Sequence, residues 1–506
     1  MVIPPHETLV AELADLIAIP SVSADPVHAD DIRRAADWVA ERIRAAGGEA
    51  EIQERGGRPL VVGRVVASTG AGSPTVLAYA HLDVQPPDPL DLWESDPWAL
   101  VERIRAAGGE AELQERGERP LVIGRVAAST GAAAPTVLAY AHLDVQPPDP
   151  LELWESDPWT LVERNGSLVA RGVADDKAHL YMLLEATRLL AAAGELPVNV
   201  RFAIDAEEEV GGRSVIDWVE EDAHPGDVAL VLDGGYATGA LPSFCTALRG
   251  MCYFHVTVRT GERDLHSGLY GGAALTATHA LMQMLAAVLP GADGRLPEPL
   301  RAGIVAPTEE ELAGWSVLPP GAEELASDGA RPNDAAAPAE FRLRTTAEPS
   351  VTVNGIESGS PRLQKTVLPV EAVANVSMRL APGQTVAAMA PVFERLLREA
   401  APDGATVDVE LWATGEPGYV DPEAPAIVLA QNAFEQVLGV RPVLVRSGGS
   451  IPVVASLVAR GVPAIVTGFA RPTAQMHSPN EHIPVAALRE GLETTVEVLR
   501  RFGELG

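Results

Sequence analysis

The sequence contains the run Thr136-Val-Leu-Ala-Tyr-Ala-His142-Leu-Asp144, and the same run occurs earlier at Thr75–Asp83. A short apolar run is typical of a buried strand. A His-x-Asp at its carboxyl end predicts part of a metal site, because imidazole and carboxylate are both metal ligands. The sequence therefore offers two candidates, His81 and His142, for one ligand.

Both runs lie in a longer repeat. Residues Glu41–Val101 (copy 1) and Glu102–Val162 (copy 2) align without a gap, and 53 of the 61 positions are identical. A solenoid requires about three or more units, usually with diffuse similarity. We therefore interpret the repeat as a recent tandem duplication or as an error in the gene sequence.

The residues that follow each copy favour copy 2 as the one that enters the sheet. After copy 2, Asn165-Gly166 predicts the turn of a β-hairpin, which leads to Asp175-Asp176. After copy 1, the chain runs instead into residues 104–109, which predict the end of a helix. The reverse choice stays open, because a predicted helix at Asp30–Ala46 continues without interruption into copy 1.

Composition excludes several classes of function. The chain has 506 residues, 47% of them hydrophobic and 21% charged, as in an ordinary globular protein. A net charge of −32 disfavours nucleic acids and anionic membranes as partners, because both require a basic face. The two cysteines, Cys245 and Cys252, provide neither a disulfide framework nor a thiolate zinc site. Without a signal peptide or an uncharged apolar run of about 18 residues, we expect a cytoplasmic protein.

Alternating helical and strand patterns predict an α/β fold that is interrupted by a smaller α+β insert. We place the first part of the α/β domain, which carries most of the candidate ligands, at residues 1–244. The insert occupies residues 245–413, and the second part of the α/β domain occupies residues 414–506. The insert combines alternating strands with a predicted helix at 273–289 and a loop-like stretch rich in Pro, Ala and Glu.

Acidic residues and histidines follow one predicted strand after another. Ligands at the carboxyl ends of strands fit the general rule for open α/β sheets. Oxygen and imidazole ligands without thiolate suit Zn²⁺, Co²⁺ or Mn²⁺ in a hydrolytic site. Each residue alone has an ordinary structural explanation, but the ordered set favours a metal centre. The set is His142, Asp144, Asp175, Asp176, Glu208, Glu209, Asp233 and His477.

With these motifs the chain resembles the M20 metallopeptidases, most closely their dipeptidase branch of the carnosinase and cytosolic nonspecific dipeptidase type. The similarity spans nearly the whole chain apart from one copy of the repeat. The matching segments are His142-Leu-Asp-Val-Gln-Pro, Arg171-Gly-Val-Ala-Asp-Asp-Lys, Glu207-Glu-Glu-Val-Gly, Asp264-Leu-His-Ser-Gly-Leu-Tyr-Gly-Gly, Gly448-Gly-Ser-Ile-Pro-Val and Met476-His-Ser-Pro-Asn-Glu.

The resemblance implies two divalent metal ions per subunit, which we expect to be Zn²⁺, with Mn²⁺ or Co²⁺ as alternatives. His142 and Asp233 would hold one ion, and Glu209 and His477 would hold the other. Asp175 would bridge the two.

The resemblance also implies catalytic and substrate-binding roles. Glu208 would be the general base, and Asp144 would orient His142, as a carboxylate beside a metal-bound imidazole commonly does. His266 would reach into the partner subunit's site and stabilise the developing oxyanion. The positions that match binders of the substrate carboxylate are Thr366, Arg379 and Ser450.

The implied fold is a zinc-exopeptidase-like mixed sheet flanked by helices, with residues 245–413 as a ferredoxin-like lid through which the protein forms a homodimer. The implied function is two-metal hydrolysis of the peptide bond in dipeptides or short peptides. One alternative is an amidohydrolase of the same family that acts on N-acyl or N-carbamoyl amino acids. A second alternative is an inactive amino-acid-binding protein or an aberrant duplicated product.

Overall fold

The computed structural model describes residues 3–19, 21, 29–67, 75–81, 112–116, 119–126, 128–129, 136–142, 145, 150–205, 213–360, 362–449 and 451–505. For residues 29, 54–59, 66–67, 75–81, 112–116, 119–126, 128–129, 140–142, 205, 214 and 452, the description is of the backbone only.

The strands are numbered in chain order. They are β1 (Gly48–Ala67), β2 (Thr75–His81), β3 (Glu112–Arg116), β4 (Arg119–Val126), β5 (Ala128–Ser129), β6 (Thr136–His142), β7 (Val162–Arg164), β8 (Ser167–Val169), β9 (Asn199–Asp205), β10 (Val228–Leu232), β11 (Ser243–Leu248), β12 (Gly250–Arg259), β13 (Leu265–His266), β14 (Ser350–Glu357), β15 (Val367–Leu368), β16 (Glu371–Leu380), β17 (Thr406–Gly415), β18 (Gly418–Tyr419), β19 (Val443–Ser447), β20 (Ala464–Thr467) and β21 (His482–Pro484).

The α-helices are numbered in the same way. They are α1 (His6–Ile17), α2 (Ala29–Ala45), α3 (Lys177–Ala192), α4 (Ser214–Glu221), α5 (Ser267–Tyr270), α6 (Ala277–Ala286), α7 (Glu309–Trp315), α8 (Gly321–Ser327), α9 (Val386–Ala400), α10 (Pro425–Leu438), α11 (Pro452–Ala459) and α12 (Val485–Phe502).

The chain divides into two compact units. The first unit comprises Met1–Cys245, Val420–Leu444 and Ser456–Gly506, and the second comprises Thr246–Tyr419 and Val445–Ala455. The second unit therefore takes in two chain segments, whereas the insert expected from the sequence is the single segment 245–413. Its role as a lid and dimerisation domain stays a prediction.

A mixed sheet with helices forms the first unit. In its sheet β10 pairs with β20 and with β6, and β6 pairs with β9, all in the parallel direction. β4 joins β9 in the antiparallel direction. Helix α3 is buried on nearly every face between Lys177 and Leu190, and its buried residues include the polar Lys177, His179 and Glu185 as well as apolar side chains. The central mixed α/β architecture predicted from the sequence is confirmed.

The two copies of the repeat pair with the same residues of the sheet. On β9, Asn199 is the Cα partner of both Thr75 and Thr136. On β10, Val228 is the partner of both Val76 and Val137. In each case the two partners occupy the same position in the two copies of the repeat.

The second unit contains a four-stranded antiparallel sheet in the order β14, β16, β12, β17. Burial alternates along β12 and β16, so every second side chain packs into the core that α6 and α9 share with the sheet. The chain order β12, α6, β14, β16, α9, β17 is the βαββαβ order of ferredoxin-like units.

Within the described part of the chain, no helix is both long enough and apolar enough to cross a membrane.

Asp37 generates a prediction about stability. Burial in α2 raises its pKa to about 6, whereas the charges of Arg33 and Arg44 act in the opposite direction. The folded state therefore holds this proton up to about pH 6, while the unfolded chain releases it near pH 4, so this group makes stability fall as pH rises between about 4 and 6. We expect Asp37→Asn to raise the free energy of unfolding at about pH 7.5 by about 1–2 kcal/mol, and by much less at about pH 4.5. Urea denaturation at both pH values measures the difference.

Asp30→Asn is the matched control, because Asp30 lies exposed on the same helix. Because its side chain stays in contact with water in the folded state, this substitution should not reproduce the gain expected for Asp37→Asn. An equal, pH-dependent gain from both substitutions would contradict burial as the cause.

Candidate active site

Parallel strands of the first unit end at one edge of the sheet, and predicted metal ligands lie there. β6 ends at His142, β9 ends at Asp205, and β10 ends at Leu232, directly before Asp233. Because β6 runs parallel to both β9 and β10, their carboxyl ends share an edge. The backbones of His142 and Asp233 are thus brought to the same edge. Four predicted site residues lie outside the described residues: Asp144, Glu208, Glu209 and Ser450.

Two other predicted ligands, Asp175 and His477, are in direct contact. Nε2 of His477 lies 2.9 Å from Oδ2 of Asp175. The Asp175 side chain is 12% exposed and the His477 side chain is 54% exposed. The structure therefore joins a carboxylate and an imidazole that are 302 residues apart, with one side of the pair open to solvent.

The segment that carries His477 has a strained backbone. Gln475, His477 and Asn480 have φ angles of 55°, 60° and 63°, in the left-handed region that side chains other than glycine rarely adopt. Such conformations cost about 1–3 kcal/mol each and cluster at functional sites. Asn480 helps to stabilise the segment, because its Oδ1 accepts from the backbone N–H of Glu155 at 2.9 Å and its Nδ2 donates to the carbonyl of Leu153 at 2.7 Å.

Glu481 connects the segment around His477 to the segment around Asp175. Its Oε2 accepts from Arg171 Nη1 at 2.6 Å and from the backbone N–H of Gly172 at 2.9 Å. Its Oε1 accepts from the backbone N–H groups of Ala174 at 2.7 Å and Asp175 at 3.0 Å. Burial raises the pKa of Glu481, while the charge of Arg171 and the Gly172 and Ala174 N–H groups oppose that rise. The four donors match the carboxylate form on both oxygens.

Asp176 is held by a buried histidine. His179 Nε2 accepts the backbone N–H of Phe469 at 2.8 Å, so the ring proton lies on Nδ1, which is 2.5 Å from Asp176 Oδ1. Burial lowers the pKa of His179 to about 4, against the opposing charge of Asp175. His179 is therefore neutral at neutral pH, and both of its nitrogens are engaged within the protein.

The described donors fit a divalent metal in type, since carboxylate oxygen and imidazole nitrogen suit Zn²⁺, Mn²⁺ and Co²⁺. Asp175 and His477 form one donor pair, and Asp233 lies half-buried directly after β10. Among the side chains that the structure describes, no group of three or more His, Cys, Asp or Glu residues is placed to hold an ion. Two of the five predicted ligands, the His142 side chain and Glu209, are not among those side chains. The complete ligand set stays a prediction.

In the second unit, the structure brings His266 and Thr366 together. β13 pairs with β15 so that His266 lies opposite Val367, and the N–H of Ser267 donates to the Thr366 carbonyl at 2.9 Å. Nδ1 of His266 accepts the backbone N–H of Gly268 at 3.0 Å. The neutral ring therefore carries its proton on Nε2, and an exposed N–H donor is the group that an oxyanion needs.

Arg379 has a second arginine in its neighbourhood. Burial, and secondly the charge of Arg379, lower the pKa of Arg249 to about 10. Arg249 donates to the Gly448 carbonyl at 3.2 Å and to Ser350 Oγ at 3.1 Å. Two guanidinium groups and the glycine turn before Ser450 thus occupy one part of the second unit, which is a suitable setting for a carboxylate.

Sequence reasoning assigned no role to Glu481, Arg171 or Arg249. Glu481 and Arg171 fall within matching segments of the family resemblance, but nothing in the sequence indicates that they form a buried pair. Arg249 falls outside those segments, and its proximity to Arg379 depends on the pairing of β12 with β16.

Comparison with known proteins gives a consistent result. The family model for Peptidase family M20/M25/M40 matches residues 138–501, so the match begins inside copy 2. The chain is 30% identical over 386 residues to the Cysteinylglycine-S-conjugate dipeptidase of Corynebacterium striatum, covering 73% of this chain and 82% of that protein. It is 27% identical over 335 residues to human Beta-Ala-His dipeptidase, covering 63% and 65%.

A solved structure shares the fold. The M20 family metallo-carboxypeptidase Sso-CP2 from Sulfolobus solfataricus matches with a TM-score of 0.71 at 19% identity, over 98% of this chain and 99% of that chain. At this level of identity the match establishes the arrangement of the mixed sheet and its helices, and not the activity.

The hydrogen bonds of Glu481 generate a prediction. Each carboxylate oxygen of Glu481 accepts two hydrogen bonds. In Glu481→Gln one of these oxygens becomes an NH₂ group, which would then face two hydrogen-bond donors in either orientation of the amide. The Arg171 charge also loses its buried partner. We expect the first unit to lose about 3–5 kcal/mol of stability, the usual cost of breaking a buried ion pair. Chemical denaturation followed by tryptophan fluorescence measures the loss.

Glu195→Gln is the control, because Glu195 makes an exposed ion pair with Arg500 at 2.7 Å. It should leave the denaturation midpoint nearly unchanged, because an exposed ion pair contributes little to stability. Similar losses in the two variants would show that Glu481 does not organise the segments around Asp175 and His477.

Proposed function

The chain belongs to peptidase family M20/M25/M40, in its dipeptidase branch, and we propose that it hydrolyses dipeptides or short peptides as a two-metal exopeptidase. The observation that carries the proposal is the contact between Asp175 and His477, in a chain whose similar proteins include dipeptidases. Both residues are donors of the required type, and both belong to the segments that Glu481 ties together.

We propose that His142 and Asp233 bind one metal, that Glu209 and His477 bind the other, and that Asp175 bridges them. The shared sheet edge of His142 and Asp233 supports the first pair. The start of the family match inside copy 2 supports the choice of His142. When bound, the ions, which we expect to be Zn²⁺, polarise the scissile carbonyl and make water acidic enough to serve as the nucleophile near neutral pH.

Proton transfer is assigned to the residues after β9 and β6. Glu208 takes a proton from the attacking water on its carboxylate and then returns it to the amine that leaves. Asp144 accepts a hydrogen bond from the His142 ring and thereby fixes the orientation of that ring.

Substrate recognition is assigned to the second unit. Thr366, Arg379 and Ser450 bind the carboxylate of the substrate, and Arg379 can offer two parallel N–H groups to it. His266 donates Nε2–H to the developing oxyanion in the partner subunit's site, in a homodimer formed through this unit. The exposed position of His266 and the acceptor role of its Nδ1 support this assignment.

Substrate class and metal dependence are tested together. We expect purified protein to hydrolyse dipeptides, to lose at least about 100-fold in kcat/KM after treatment with a chelator, and to recover when Zn²⁺, Mn²⁺ or Co²⁺ is added. The measurement is amine release from a panel of dipeptides and N-acyl and N-carbamoyl amino acids. Activity on the acylated amino acids alone would replace the dipeptidase with the amidohydrolase. Metal content far below one ion per chain, without activity, would favour the inactive binder.

His477→Ala tests the metal site directly. We expect the variant to fold and to lose about 10- to 100-fold or more in metal affinity, measured by metal analysis after dialysis. His224→Ala is the matched control, because His224 is also an exposed histidine of the first unit near an aspartate, 3.5 Å from Asp227. Equal metal content in the two variants would remove His477 from the site.

Arg379→Lys tests carboxylate recognition. Lysine keeps the charge but loses the paired N–H groups, so we expect KM to rise by about tenfold with a smaller change in kcat. Arg259→Lys on the neighbouring strand is the control, because Arg259 pairs with Glu371 and has no assigned role in binding. Steady-state kinetics on one dipeptide distinguishes the two. A pure loss of kcat would contradict a role in substrate binding.

A further inference from the structure

At three places in the sheet, equivalent residues of the two copies lie opposite the same partner residue. On β9, His81 and His142 both lie opposite Asp205. On the antiparallel side of β9, Val62 and Ile123 both lie opposite Ala203. On β4, Glu51 and Glu112 both lie opposite Ile123. The two residues of each pair are one copy apart in the sequence. The two copies therefore match the same neighbours in the same register over several strands, and not at single residues only.

One strand edge pairs with one neighbour at a time, because each backbone N–H and C=O on that edge points at a single partner strand. In the structure β2 and β6 also pair with each other, from Thr75 opposite Thr136 to Ala80 opposite Ala141. Because both strands also take the same partners on one edge of β9, only one of them can hold that edge in a given molecule. We propose that copy 1 and copy 2 are alternative occupants of the same sheet positions, and that His81 and His142 are interchangeable ligands of one metal.

The flanking segments allow the exchange. The entry helix α2 comes from copy 1 at its carboxyl end, where Arg44 donates to the Ala50 carbonyl at 2.9 Å. The exit segment comes from copy 2, where the Pro158 carbonyl accepts from the N–H of Arg171 at 2.8 Å. In one arrangement the sheet uses the strand that ends in His81, and in the other it uses the strand that ends in His142. The helix before the repeat and the segment after it are the same in both arrangements. In each arrangement, a stretch of chain as long as one copy is not used by the sheet.

The free energies of the two arrangements are closely matched. The displaced loop has the same length in both, so the entropy of closing it is the same. Only eight positions differ between the copies. Ile123 in place of the buried Val62 adds one buried methylene group and favours copy 2. At the position of Val66 and Ala127, by contrast, copy 1 carries the larger residue.

The role of the two histidines as metal ligands rests on the proposed function. The sharing of one backbone position by the two copies does not. Hydrogen exchange with mass spectrometry on the metal-free protein tests the backbone alone. Gly72-Ser73 and Ala133-Ala134 distinguish peptides of the two copies. We expect each copy to be protected in only a fraction of the molecules, with the two fractions adding to about one. Full protection of both copies, or of one copy alone, would overturn the proposal.

Substitution of the histidines tests the ligand role. We expect His81→Ala and His142→Ala each to keep both metals and to lose less than about tenfold in kcat/KM, while the double variant loses one metal and about 1,000-fold or more. Deletion of residues 41–101 joins Ala40 to Glu102 and restores the local sequence of α2. In that single-copy background, His142→Ala alone should match the double variant. If His142→Ala in the full chain loses as much activity as the double variant, the exchange is overturned. If the wild type is inactive but hydrogen exchange still shows partial protection of both copies, the proposed function is overturned instead.

Discussion

The buried carboxylate of Glu481 is the constraint on which the candidate site depends. It accepts four hydrogen bonds from the segment 171–175, and its own backbone carbonyl accepts from Ala170. Asp175 and His477 flank this anchor on the two segments that it joins, so their contact follows from it. A carboxylate without these donors would be too costly to bury. The donors and the acceptor must therefore form together, which makes the geometry of the pair a property of the folded first unit.

The parallel strands carry two further predicted ligands, His142 and Asp233. His142, Asp205 and Leu232 end strands that run in the same direction, and this direction places the residues after them at one edge. His179 contributes from the protein interior by holding Asp176 in one orientation. The predicted ligands thus lie on two kinds of support: a sheet edge, which fixes backbone positions, and a strained segment at 475–480, which is held by side chains such as Asn480.

The sequence was sufficient to predict the mixed α/β fold, because the apolar runs and the motifs after them recur in strand order. It also predicted that Asp175 and His477 belong to one site, on the basis of resemblance. The Glu481–Arg171 pair and the proximity of Arg249 to Arg379 could not be predicted in this way. Each depends on segments that are distant in sequence and on side chains whose residue types are common on protein surfaces. Periodicity carries no information about such contacts.

The sequence favours copy 2 only through the residues that follow it, and the reason is physical. A slip of one residue in a strand turns every side chain to the opposite face, and burial then rejects the wrong register strongly. A slip by one whole copy presents nearly the same residues to the same neighbours, including His142 in the place of His81. Patterning and core packing within the copies therefore discriminate little between the two registers, and the Asn165-Gly166 turn that favours copy 2 lies outside both copies. The discrimination that remains comes from eight substitutions, of which Val62/Ile123 and Val66/Ala127 change residue size in opposite directions.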